Sequence, residues 1–240
     1  MKQNSTSMFQ QTQSIYLMLS LKSVVLSKVM KSLWMFMGLV LSMLFCATFA
    51  NAAQTQSMQV GQIFKQLSNT PTVRANFQQQ KKLASLNKTF VSNGTVLFSK
   101  QYGVLWQIQK PVQASLIVTP KKLVQKTQRT YSQIEIDKSP YGSVATMFLQ
   151  LMSGNETALA KNFNIVSANY TPMQWNVTLT PKSSLFKKLF DRVEAQGQRY
   201  VDSIVITEKA NNSTVIQFSQ HNPQPVQLTA SEDALFKLAK

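Results

Sequence analysis

Between residues 94 and 120 the chain reads GTVLFSKQYGVLWQIQKPVQASLIVTP, with its apolar positions in alternation. Side chains alternate across a strand. Val96 and Phe98 therefore share one face with Val104, Trp106 and Ile108, and Leu116 and Val118 join them. Thr95, Ser99, Gln107, Gln109 and Thr119 fall opposite, together with a few leucines and Ile117. The pattern predicts a β-meander with one large apolar face. Upstream, Val60, Ile63, Phe64 and Leu67 repeat at helical spacing, and Asn69 with Pro71 ends that helix. Val73, Ala75 and Phe77 then alternate, which predicts a strand over 73–82. Further strands are expected near 121–127 and 130–137, before a break at Pro140 and Gly142.

The stretch SVATMFLQLM, 143–152, has the other period. Val144, Met147, Phe148 and Leu151 form a helical stripe, but Leu149 and Met152 lie outside it. A helix that is apolar nearly all round needs cover on more than one side, and methionine suits a surface that repacks. It is either a plug at the end of a sheet or a lid. Strands resume at 163–168 and at MQWNVTLTP, where Trp175, Val177 and Leu179 alternate with Asn176, Thr178 and Thr180. SSLFKKLFDRVEAQG reads as a helical turn to about Lys188 and then a strand. A hairpin follows, with Asn211-Asn212 in the left-handed turn positions. Several antiparallel strands at this spacing predict a strongly curved sheet or barrel.

The N-terminal stretch stands apart from this pattern. From Met30 the chain has a basic start, an apolar run from Leu33 to Phe49, and Ala50-Asn51-Ala52 as a small-x-small cleavage site. Residues 1–52 are read as a secretory signal peptide, with Met30 as the expected true start and cleavage near Ala52/Ala53. Met43-Leu44-Phe45 before Cys46 does not fit lipoprotein processing, so Cys46 is an apolar member of the export segment. Residues 53–240 are expected to be one periplasmic domain without cysteine, held by its own core rather than by disulfides.

Charge changes the picture of the partners. The chain carries 25 Lys and Arg against 9 Asp and Glu, and four of the lysines but none of the acids precede residue 53. Such a field favours anionic partners, an anionic membrane surface among them. Export and the lack of any nucleic-acid-binding motif exclude nucleic acid.

Candidate chemistry is sparse. There is no G-x-S-x-G, no Gly-rich phosphate loop, and His221 is the only histidine, read as a surface loop residue beside Pro223. No clustered His or Cys could hold a metal. Glu135/Asp137 and Glu232/Asp233 read as solvated charge. No catalytic residue, cofactor or metal is expected, and an enzyme is disfavoured.

Taken in order, the export signal, the short helix, ANFQQ (75–79), GTVLFSKQYGVLW (94–106), Lys110-Pro111, the apolar helix and VTLTPK (177–182) resemble the LolA family of periplasmic lipoprotein carriers. ASEDALFKLAK matches the short helix near the family's end, as in a variant without the family's final strand and tail. The resemblance implies a mainly β fold with a helical lid, a half-open antiparallel β-barrel. It implies an apolar cargo face of Val96, Phe98, Val104, Trp106, Ile108, Leu116, Val118, Trp175, Val177 and Leu179, and a lid of Val144, Met147, Phe148, Leu151 and Met152. The family's lid-latching arginine is replaced by Lys100, a point charge without the planar fork, which becomes the expected latch on the lid. Implied partners are the acyl chains of a lipoprotein or other lipid-like cargo, an inner-membrane transporter or exporter, and an outer-membrane acceptor, with the carrier a monomer. Two alternatives share the scaffold: an envelope sensor binding a partner protein, and a carrier of a glycolipid or polyene lipid for an exporter.

Overall fold

A computed structural model describes residues 57–136 and 140–240, with the backbone alone for 140–144. The expectations for the signal segment, its cleavage site, Cys46, Asp137 and the Val144 side chain lie outside the described residues.

After a helix over 57–68 (α1) come β1 (Thr72–Leu83), β2 (Lys88–Ser99), β3 (Gly103–Lys110), β4 (Ala114–Val118), β5 (Lys122–Thr127) and β6 (Tyr131–Glu135). Two helices follow, α2 (Pro140–Met152) and α3 (Glu156–Asn162). The chain continues through β7 (Phe163–Tyr170), β8 (Trp175–Pro181), α4 (Ser184–Leu189), β9 (Phe190–Gly197), β10 (Val201–Glu208), β11 (Ser213–Asn222) and α5 (Ala230–Lys237). All eleven strands join one antiparallel sheet in the order β6-β5-β4-β3-β2-β1-β11-β10-β9-β8-β7. The sheet is not closed. Its two edges are β6 and β7, and the segment that runs from one to the other is α2–α3.

Pairing register carries the apolar face across the strands. Val73, Phe98, Val104, Val118 and Leu123 stand in one row, and Ala75, Val96, Trp106 and Leu116 in the next. On the other half, Leu179, Val193 and Ile206 form a row, as do Val177, Ala195 and Ile204. These rows form a single buried cluster with α1, α2, Leu159 and Phe186. The alternation that marks a one-faced strand is thus a genuine inner face.

The sequence pattern underread the outer face. Leu97, Leu105, Ile117 and Val124 also stand in register across β2–β5, and they make a second core with Phe236 and Ala239. The C-terminal segment lies on that outer face. Its helix α5 starts with a capping box, in which Thr229 Oγ1 accepts from the Glu232 amide and the Glu232 carboxylate accepts from the Thr229 amide.

Arg74 fastens this segment to β1. Its Nε and Nη2 donate to the two carboxylate oxygens of Glu232 at 2.8 and 2.7 Å, and Nη1 and Nη2 donate to the carbonyls of Pro225 and Gln227. Glu232 and Asp233 are therefore not simply solvated: Asp233 pairs with Lys237.

Three local expectations are corrected. Pro140 opens α2 rather than breaking the chain before it, since its missing N–H costs nothing in a helix's first turn. The left-handed turn residues of the last hairpin are Ala210 and Asn211, while Asn212 is extended and accepts a hydrogen bond from the Ala84 amide. His221 belongs to β11, half-buried, stacked on Tyr200 and hydrogen-bonded to the Val201 carbonyl at 2.9 Å. Beside these, the split of 184–197 into a helical turn and a strand matches α4 and β9.

Candidate functional site

Eight of the ten residues assigned to the cargo face are buried in the inner cluster: Val96, Phe98, Val104, Trp106, Val118, Trp175, Val177 and Leu179. Ile108 and Leu116 are half-buried against it. Trp106 lies at the centre of an aromatic group. Phe77 is 4.0 Å away between ring centroids, Phe218 6.0 Å and Phe148 of α2 5.6 Å, the last two edge-on. Phe77 and Phe218 were not among the assigned residues, although each sits in an alternating run.

The lid candidate divides by depth. Met147, Leu151 and Met152 are buried in the inner cluster, and Phe148 and Leu149 are half-buried at its surface. The helix thus lays one side on the sheet while its remaining apolar side chains stay partly in contact with water. Its C-terminal turn leans on α1. Gly154 adopts φ +66°, and a Cβ there would lie 2.4 Å from the Phe64 carbonyl oxygen. Only glycine takes both this conformation and this approach.

The hydrogen bond of Lys100 goes to α1. Its Nζ donates to the Ser68 carbonyl, 3.1 Å, at the C-terminal end of α1, where a cation complements the helix dipole. The contact expected with α2 is made to α1 instead, because the β2–β3 turn lies at the end of the sheet that α1 covers. On its far side α1 is held by Gln66, which donates to the Gln198 and Arg199 carbonyls and accepts from the Tyr170 hydroxyl.

Where both helices meet the sheet, little space remains. The void between α1, α2 and the sheet, lined by Leu67, Val73, Phe98, Met152, Val201 and Phe218, holds about 10 Å³, about the room of one water. The face assigned to a cargo cavity is here a packed core, filled by the protein's own helices. Further along the same inner face lies a polar group that the pattern did not point to: Glu208 accepts from Lys81 and from Thr214 Oγ1. No group of His, Cys, Asp or Glu among the described residues is placed to hold a metal.

Solved structures of similar fold include a LolA superfamily protein from Nitrosomonas europaea, at 11% identity and TM-score 0.45, covering 73% of this chain and 96% of that one. Another is a putative outer membrane lipoprotein-sorting protein domain from Vibrio parahaemolyticus, at 9% identity and TM-score 0.42, covering 74% and 97%. The MucA/MucB complex from Pseudomonas aeruginosa aligns at 9% identity and TM-score 0.36, covering 71% and 61%. No curated protein matches the sequence. The family model described as outer membrane lipoprotein carrier protein LolA matches residues 68–238. The chain belongs to the LolA family.

Proposed function

We propose that this protein is a periplasmic carrier, not an enzyme, that shields the acyl chains of a lipoprotein or another lipid-like molecule between the inner and outer membranes. One observation carries the reading. A large apolar inner face is covered by apolar helices, with α2 in the segment that links the two free sheet edges, rather than by further strands. Family membership supports it.

Magnitudes set the mechanism. A sixteen-carbon chain gains ~13 kcal/mol on leaving water, at ~0.8 per methylene. Lifting α2 exposes Met147, Leu151 and Met152, at about 5–9 kcal/mol for three buried side chains. Cargo therefore outcompetes the lid for the inner face. Inside a membrane the same acyl chain is already out of water, so net transfer to the carrier is close to zero. Loading needs an inner-membrane donor, and release needs an outer-membrane acceptor with better burial.

Native mass spectrometry of protein recovered from its own cells tests the reading. Co-purified lipid or lipoprotein, displaced by a fluorescent fatty-acid probe, is the expected result. Lipid-free protein that fails to bind the probe but captures a membrane-protein loop would replace the carrier reading with the sensor one.

A further inference from the structure

In an antiparallel sheet alternate turns lie at the same end, and the registers here place five of them together. They are the β1–β2, β3–β4, β5–β6 and β10–β11 turns and the α4 connection between β8 and β9. Lys82, Lys88, Lys110, Arg129, Lys187 and Lys188 lie along this rim, all exposed, and none has an ion-pair partner among the described residues. The two carboxylates at these turns are already engaged, Glu208 by Lys81 and Asp191 by Lys209. Large apolar side chains stand among the cations: Leu86 is 56% exposed, Phe90 50% and Val112 69%.

We propose that this basic rim docks the protein on an anionic phospholipid surface, with Leu86, Phe90 and Val112 entering the headgroup layer. The chemistry is complementary on both counts. Unpaired lysines attract anionic headgroups at about 1 kcal/mol each, and apolar side chains ringed by cations suit the interface. Exposed apolar groups amid unpaired charge gain nothing from the fold itself. The docked rim would set strand ends, not the latched α1 end, against the membrane.

The test is sedimentation of the full chain with phosphatidylcholine vesicles containing phosphatidylglycerol, using pure phosphatidylcholine vesicles as the baseline for the apolar N-terminal segment. The expected result is binding above that baseline that weakens with salt. Lys187→Gln/Lys188→Gln should lower it about 30-fold. Lys121→Gln/Arg199→Gln, the same charge change at the other end, should lower it far less. A second readout is Cys46→Ser/Leu86→Cys carrying an environment-sensitive dye, whose emission should shift to the blue on anionic vesicles. No binding above baseline, equal loss from both double variants, or an unshifted dye overturns the proposal. Fatty-acid probe binding reports on the carrier reading separately, so either idea can fall without the other.

Discussion

Trp106 sits where the sheet, Phe77, Phe218 and the helix α2 meet, at 8% exposure. Over a packed face its truncation leaves an uncollapsed hole, so Trp106→Ala is expected to cost about 3–5 kcal/mol in urea unfolding and to weaken fatty-acid probe binding as well. Loss of stability with unchanged probe binding would make this face ordinary core. Glu232 is the second informative residue. The Arg74 hydrogen bonds hold its carboxyl below the usual carboxylate range, against an opposing effect of burial. A depressed acid contributes stability that is whole above the unfolded carboxylate range, about pH 4.3, and is lost as pH falls through the folded value. Glu232→Gln should therefore cost about 1.5–3 kcal/mol at pH 7. Unfolding curves at pH 7 and pH 3 should show a smaller acid loss for the variant than for the parent.

Helices α1 and α2 close the inner face by different means, and each can be perturbed alone. Lys100 adds a dipole-matched contact to α1 of about 0.3–1 kcal/mol. Lys100→Leu should speed hydrogen exchange over 57–68 and leave 143–152 little changed, whereas Lys100→Arg should preserve protection. Faster exchange confined to 143–152 would return the latch to α2. Gly154, just after α2, is the close contact between the two. Ala at φ +66° costs about 1–2 kcal/mol and pushes against the Phe64 carbonyl. Gly154→Ala should therefore raise exchange in both helices together while the strands stay protected.

At the scale of the whole molecule, the void beneath α1 and α2 is about 10 Å³, far below the ~300–1,000 Å³ of ordinary ligand pockets, so a cargo that enters there needs the helices to open. Apparent affinity is then reduced by the fraction of molecules that are open. A variant that unseats the lid should bind more tightly, so Gly154→Ala is expected to lower the fatty-acid probe's Kd while lowering overall stability. In stopped-flow mixing the observed rate should level off at high probe concentration, at the opening rate. Unchanged affinity in Gly154→Ala with a rate linear in probe concentration would show that the closed form binds directly.

Local pattern alone determined a good deal of this protein. The alternation of Val96, Phe98, Val104 and Trp106 identified the inner face, because a period of two has only one way to fill a core. The odd apolar wrap of 143–152 identified the helix that covers it, because such a surface cannot be left in water. Tertiary structure decided the rest. Whether Leu97, Leu105, Ile117 and Val124 face water or a second core depends on a helix more than a hundred residues away, and the clamp of Arg74 on Glu232 spans 158 residues. Lys100 could have met either helix, since a flexible side chain on a turn finds whatever carbonyl the fold brings near. Strand register likewise gathered lysines scattered over the sequence onto one rim. Periodicity reports which side of an element is apolar; what comes to cover that side is a property of the folded chain.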